Sequence, residues 1–184
     1  LARRQLLTGA LGLAAAGGLA GIARADVAPD GDLAYLRLLV GAELLKADFE
    51  PRALATAKLD VLTRMHVADV AHYNSLATLL GRSGQIAATA ADINFSYPRN
   101  SFASSTNVVK LAVTLTTMTL GAYLGAVENV QTPTLRLPLA QIAANEAQQL
   151  SALSLLDGRD IVGPAFAPSL QIEAASAALG KYES

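Results

Sequence analysis

The 184-residue sequence contains no cysteine and no tryptophan, and aromatic residues make up only 5% of it. Without cysteine the chain forms no disulfide, no thiolate metal site and no cysteine nucleophile. The sequence also lacks a charge imbalance, because 14 basic residues are balanced by 15 acidic ones. Nucleic-acid binding is therefore not predicted, since it requires a basic surface that neutralises phosphates.

Several common catalytic motifs are missing as well. The sequence has no glycine-rich phosphate loop, no G-x-S-x-G nucleophile motif and no H-E-x-x-H zinc motif. It has only two histidines, His66 and His72, and no other pattern supports either of them in a hydrolytic triad. A hydrolase or a zinc peptidase is not predicted.

What the chain has in abundance is alanine, leucine and other apolar residues, which together make up 52% of the sequence. Alanine and leucine lose little conformational freedom in a helix, so this composition favours helices over strands. The length suits a single domain with one hydrophobic core. The predicted class is all-α.

The first 25 residues are predicted to be an export signal, and residues 26–184 the folded domain. Arg3 and Arg4 precede an apolar stretch over 6–22, and Ala23 and Ala25 supply small residues at a cleavage site. The segment resembles a twin-arginine signal, so we expect a periplasmic or extracellular protein that meets a membrane only before cleavage. The alternative is an uncleaved anchor, for which the glycine-broken run is short.

Hydrophobic periodicity and cap residues predict helices at 32–49, 59–80, 106–130 and 138–156, with a short one at 168–179. Pro51 is predicted to end the first helix, and Pro138 to lie in the first turn of the fourth. The stretch 113–117 is β-branched, so a strand competes there locally, although the length favours a helix. Short linkers and one long connection over 82–104 predict a four-helix bundle with a crossover between its second and third helices.

Polar residues interrupt the apolar faces of three of these helices near their middles: Glu43 in the first, Asp69 and His72 in the second, and Glu146 with Gln149 in the fourth. A buried carboxylate is costly unless it is paired, protonated or bound to a cation. Three helices with such residues at similar depth predict one shared site, for which a divalent cation is suited. The alternative is a metal-free network of buried hydrogen bonds.

The sequence resembles the ferritin-like domain family found in secreted and desiccation-related proteins. The resemblance covers nearly all of residues 31–180 and is carried by GAELLKADFE at 41–50, DVAH at 69–72, LLG at 79–81, LGAYLGA at 120–126 and NEAQQ at 145–149. It implies a ferritin-like bundle. In relatives with a working di-iron site, the first and third helices each supply a Glu, and the second and fourth each supply a Glu-x-x-His pair.

Carried over, the resemblance implies metal ligands Glu43, Asp69, His72 and Glu146, and it also shows what is missing. Asp69 replaces a Glu, Gln149 replaces a His, and the third-helix position, near Thr116, has no carboxylate. We therefore expect a degenerate di-metal site that binds iron or manganese weakly, or no metal. The expected role is non-catalytic, either protective or in interaction with other proteins. The alternative is an active iron oxidase with a non-standard site.

Neighbouring polar residues are given more ordinary roles. His66 is expected to be partly exposed and Glu50 to be a helix-end charge near solvent, although either would extend the site if buried. Tyr123 is expected to pack in the core with its hydroxyl satisfied. Thr116 is expected to hydrogen-bond its own helix, and Gln149 to donate to a carboxylate. A homo-oligomer or a partner protein in the cell envelope is left open.

Overall fold

A computed structural model describes residues 28–184, so the predicted export signal and its boundary lie outside the described residues. Five helices follow in order: α1 (Asp30–Thr56), α2 (Asp60–Arg82), α3 (Ser105–Asn129), α4 (Pro133–Leu156) and α5 (Ile172–Leu179). The prediction of an all-α four-helix bundle with a short C-terminal helix is confirmed.

The connections have the predicted pattern. Residues 57–59 join α1 to α2 and residues 130–132 join α3 to α4, and each of these helix pairs packs along its length. Residues 83–104 form the long connection between α2 and α3. This connection is tied to the C-terminus, because Ser96 N donates to Tyr182 O at 2.7 Å and Ser184 N donates to Asn94 O at 3.0 Å.

Two of the long helices extend beyond their predicted boundaries, and in both cases a proline lies inside the helix. α1 continues through Pro51 to Thr56, since Phe49 and Ala53 remain buried on the same face and hold the last turns against the core. α4 begins at Pro133, where the missing N–H would have had no intrahelical partner, and it includes Pro138. Burial of the apolar face outweighs the hydrogen bond that each inner proline removes.

The core runs along α3, the most buried of the four long helices. Among the described helices, α3 is the one long and apolar enough to cross a membrane by length and composition, and 78% of its most apolar window is buried within the bundle. Its β-branched stretch is helical, as predicted. α3 is therefore the central helix of a packed bundle.

The last helix begins at Ile172 rather than at 168, because the preceding residues lie against α3 and one of them bonds to its backbone. Leu170 N donates to Gly121 O at 2.8 Å. A Cβ at Gly125 would lie 1.9 Å from Leu170 O, which is closer than two non-bonded atoms can approach. Glycine at 125 therefore permits the backbone of this segment to touch the helix.

One buried carboxylate fixes the end of the bundle at which α1 begins. Asp32 accepts hydrogen bonds from Gln131 N and Thr132 N, each at 2.8 Å. These N–H groups precede the first turn of α4 and have no helical partner. The bonds hold the pKa of Asp32 below its ordinary value against the opposing effect of burial.

Candidate metal centre

The four predicted ligand residues meet at the middle of the bundle. Glu43 comes from α1, Asp69 and His72 from α2, and Glu146 from α4. One ligand atom from each lies within 4.8 Å of the corresponding atoms of the others. The predicted convergence of these side chains is confirmed, and together they form a group that could hold a metal ion.

The three carboxylates surround one imidazole nitrogen. His72 Nδ1 lies 3.5 Å from Glu43 Oε1, 3.5 Å from Asp69 Oδ1 and 3.4 Å from Glu146 Oε1. These distances exceed those of good hydrogen bonds. Within residues 28–184, His72 Nδ1 has no hydrogen-bond partner. The three carboxylates are fully buried, whereas the His72 side chain is 11% exposed.

A lysine that is absent from the predicted ligand set lies beside these groups. Lys46 Nζ donates to Glu146 Oε1 at 2.7 Å, to Glu146 Oε2 at 2.6 Å and to Gln149 Oε1 at 2.9 Å. It also forms an ion pair with Asp69 Oδ2 at 2.9 Å, and its side chain is only 1% exposed. A buried ammonium group thus lies among Asp69, Glu146 and Gln149, on one side of the polar cluster.

A sequence signal for Lys46 exists. Glu43, Lys46 and Glu50 are spaced i, i+3 and i+7, so they share one face of α1 with Leu39 and Val40. The face is buried throughout. Lysine is rarely fully buried, which makes it an unexpected member of such a stripe.

Two further residues hold the carboxylates in place, both as predicted. Gln149 Nε2 donates to Asp69 Oδ1 at 2.7 Å while its carbonyl oxygen accepts from Lys46. Tyr123 is fully buried, and its hydroxyl donates to Glu43 Oε1 at 2.5 Å. Each predicted ligand carboxylate therefore has at least one partner that orients it.

Glu50 does not lie near solvent, and the expectation that it is an exposed helix-end charge is wrong. Because α1 extends past Pro51, Glu50 lies inside the helix and is fully buried. His66, whose side chain is 36% exposed as expected, places Nδ1 3.0 Å from Glu50 Oε2. This pair connects the surface of the bundle to the Asp69 side of the cluster.

α3 contributes no charged group to the centre. Thr116 is fully buried, and its hydroxyl finds no hydrogen-bond partner within the described part of the chain. The expected bond to its own helix is made instead by Thr117, whose hydroxyl donates to Val113 O at 2.7 Å. Thr119, one turn further along α3, is buried with its hydroxyl equally unpaired among residues 28–184.

Burial and charge act in opposite directions on Lys46 and Asp69. Burial alone would lower the pKa of Lys46, but the carboxylates of Glu146 and Asp69 raise it above its ordinary value. Burial would raise the pKa of Asp69, but the charge of Lys46 and the hydrogen bond from Gln149 lower it. Both groups are therefore charged at neutral pH.

Glu50 and Glu43 behave differently. Burial, followed by the neighbouring carboxylate of Asp69, raises the pKa of Glu50 to about 11. Glu50 is thus neutral at pH 7. Burial raises the pKa of Glu43 to about 7, although His72 and Lys46 oppose the shift.

The surroundings of His72 raise its pKa. Burial would lower the pKa of His72, but the nearby carboxylates of Glu146 and Glu43 raise it to about 9. Without a metal, the imidazole is therefore protonated at neutral pH and offsets part of the carboxylate charge.

The donor set does not fit two divalent ions. Lys46 Nζ already occupies the space among Asp69, Glu146 and Gln149, and an ammonium and a divalent cation at that place would repel each other. The donor set does fit one ion on the His72 side, where an imidazole nitrogen and three carboxylate oxygens converge.

Comparison with known proteins supports the ferritin-like fold. The sequence model of the ferritin-like domain matches residues 34–158, a range that includes all four predicted ligands and Lys46. A search of curated proteins finds no match.

Proposed function

Because this chain belongs to the ferritin-like domain family, we propose that it is an exported bundle whose centre binds a single divalent cation weakly, with no oxidase activity. Glu43, Asp69, His72 and Glu146 would hold the ion, and iron and manganese are the favoured candidates. When bound, such an ion would supply positive charge that draws the carboxylates together. The physiological role would be protective or in interaction with other proteins.

The observation that carries this proposal is the surroundings of His72 Nδ1. Ligands about 2.1 Å from a common ion in tetrahedral arrangement are about 3.4 Å from one another. His72 Nδ1 lies 3.4–3.5 Å from one oxygen of each of three carboxylates. That spacing is too long for a hydrogen bond and suits atoms that share a cation.

Charge balance supports one ion rather than two. Glu43, Asp69 and Glu146 contribute three negative charges when ionised, Lys46 contributes one positive charge, and Glu50 is neutral since its pKa is about 11. The net charge of the cluster with neutral His72 is then two negative charges, which one divalent ion neutralises. A second ion would leave two uncompensated positive charges in the buried interior.

A surface depression reaches the edge of this centre. A surface depression of about 220 Å³ between α2 and α4 is lined by Ala71, His72, Ser75, Pro138, Gln141 and Ile142. His72 is both a member of the cluster and part of this lining, so it is the predicted ligand that borders the depression.

The test is metal binding by protein stripped with chelator and then titrated with Mn²⁺ or anaerobic Fe²⁺. We expect about one ion per chain and no oxygen consumption when air is admitted to the iron form. His72→Gln should abolish binding, while His66→Gln, a change at the other histidine of the same helix, should leave the stoichiometry unchanged. Two tightly held irons with oxygen consumption would refute the proposal and support the iron-oxidase alternative.

The export proposal rests on the predicted twin-arginine segment and has its own test. Replacing Arg3 and Arg4 together by lysine preserves charge but removes the guanidinium pair, so it should retain the precursor in the cytoplasm of a bacterial host. The unaltered chain should appear outside the cytoplasm, shortened near Ala25. Export of the lysine variant at the normal level would contradict the twin-arginine interpretation.

A further inference from the structure

The environment of Lys46 Nζ is that of a cation in a coordination site rather than that of a lysine in a simple salt bridge. Its ammonium group contacts four oxygen atoms from three residues at 2.6–2.9 Å, including both oxygens of Glu146. All four belong to side chains of α2 and α4, whereas Lys46 belongs to α1. One ammonium thus draws three helices together at the centre of the bundle.

The amide of Gln149 is oriented around this ammonium. Its oxygen accepts from Lys46, while its nitrogen donates to Asp69 Oδ1 at 2.7 Å and to Asn145 Oδ1 at 3.0 Å. A histidine at this position would present a nitrogen to a metal ion, whereas the glutamine presents a carbonyl oxygen to a lysine. The replacement at 149 and the presence of Lys46 are therefore complementary.

From this arrangement we propose that the Lys46 ammonium is a built-in substitute for a second divalent cation. It limits the cluster to one ion and keeps the bundle folded when no metal is bound. Lysine suits this role because its single charge sits on a long stem that reaches from α1 to the centre, with the stem packed in the core. A site that depends on two exchangeable ions would leave its carboxylates uncompensated after metal loss, whereas Lys46 cannot dissociate.

The experiment compares Lys46→Ala with Lys46→Met, in full-length protein freed of metal. Alanine leaves a space among Asp69, Glu146 and Gln149 that an ion can enter, while methionine fills nearly the same volume with no charge. Bound Mn²⁺ is counted by native mass spectrometry, and the melting temperature is measured with EDTA and with Mn²⁺.

In EDTA both variants should melt about 10 °C or more below the unaltered protein, because each leaves buried carboxylates without a cation. Mn²⁺ should restore most of this loss in Lys46→Ala, which should bind one ion more per chain than the unaltered protein. Lys46→Met should bind no additional ion and recover much less. An unchanged melting temperature in EDTA, or no additional ion in Lys46→Ala, would overturn the proposal.

If Lys46→Ala does not fold under either condition, Lys46→Gln is used for the test, since its neutral amide still donates to Glu146. A glutamine variant as stable in EDTA as the unaltered protein contradicts the role of Lys46, and one that melts lower in EDTA but recovers with Mn²⁺ supports it. The role of Lys46 rests on the proposed function but can be tested separately from the binding of one cation by the unaltered protein. Zero ions in the unaltered protein with one in Lys46→Ala would refute the function and support the inference.

Discussion

Replacing Glu50 with glutamine should stabilise the bundle at neutral pH, although Glu50 belongs to a cluster of ion pairs. The residue is fully buried, with its Oε2 3.0 Å from His66 Nδ1 and its carboxyl group next to Asp69. In this position the carboxyl group already behaves as a neutral hydrogen-bond donor and acceptor. Glutamine has the same shape, donates through its NH₂ group to Asp69 and accepts from His66 through its oxygen.

The magnitude follows from the proton that folding adds to Glu50. In the unfolded chain the group titrates at its ordinary value of 4.5, whereas in the folded protein its pKa is raised to about 11. Protonating it at pH 7 costs about 1.36 kcal/mol for each of roughly 2.5 pH units, or about 3 kcal/mol. Glutamine needs no proton, so the substitution should recover an energy of this order, less any loss from imperfect amide geometry.

The stability difference between Glu50→Gln and the unaltered protein should depend on pH with a definite sign. A group with a raised pKa contributes most to stability below its unfolded pKa, and this contribution declines as the pH rises toward the folded value. The advantage of Glu50→Gln should therefore be near zero at pH 4.5 and grow by about 1.4 kcal/mol per pH unit up to pH 9. Urea unfolding in EDTA at several pH values measures this difference directly.

Two companion variants separate this explanation from others. Glu50→Ala removes the contact with His66 and leaves a cavity, so it should be less stable than Glu50→Gln at every pH. Glu183→Gln, at an exposed position, should change the unfolding free energy by less than about 0.5 kcal/mol. A glutamine variant at Glu50 that is less stable at pH 7, or whose advantage does not vary with pH, refutes the reasoning.

Three other substitutions test individual contacts in the bundle by urea and thermal unfolding. Gly125→Ala should be strongly destabilising, by about 3 kcal/mol or more, because its Cβ would lie 1.9 Å from Leu170 O. Asp32→Asn should cost about 2–3 kcal/mol at pH 7, and the difference should shrink as the pH falls through the lowered pKa of Asp32. Tyr123→Phe should cost about 1–3 kcal/mol and raise the pKa of Glu43 beyond about 7, as seen by carboxyl NMR titration.

Each of these predictions has a control variant or an outcome that would contradict it. Gly31→Ala places a methyl group where no atom lies within 4 Å, so an alanine in a helix should be neutral or slightly stabilising there. Equal loss at Gly31 and Gly125 would show that contact with the segment before α5 is not responsible. Retained stability of Asp32→Asn at pH 7, or an unchanged Glu43 titration in Tyr123→Phe, would contradict the corresponding hydrogen bonds.

The bundle itself was predictable, because the sequence features that specify it are local and repeated. Apolar residues at helical spacing over long segments predict four long helices, and two short linkers with one long connection predict their order. The boundaries were less predictable, since a proline stops an isolated helix but is tolerated where an apolar face remains buried. α1 and α4 both include an inner proline for this reason.

The meeting of Glu43, Asp69, His72 and Glu146 was also predictable, since each interrupts an apolar stripe near the middle of its helix. The sequence by itself thus determined the helices, their buried faces and the depth at which acids and an imidazole enter the core. Only the tertiary structure decided how these charges are balanced. Lys46 and Glu146 are separated by 100 positions in the chain, and no local pattern specifies that they meet. Charge compensation depends on distances between side chains of different helices, which exist only after the helices have packed.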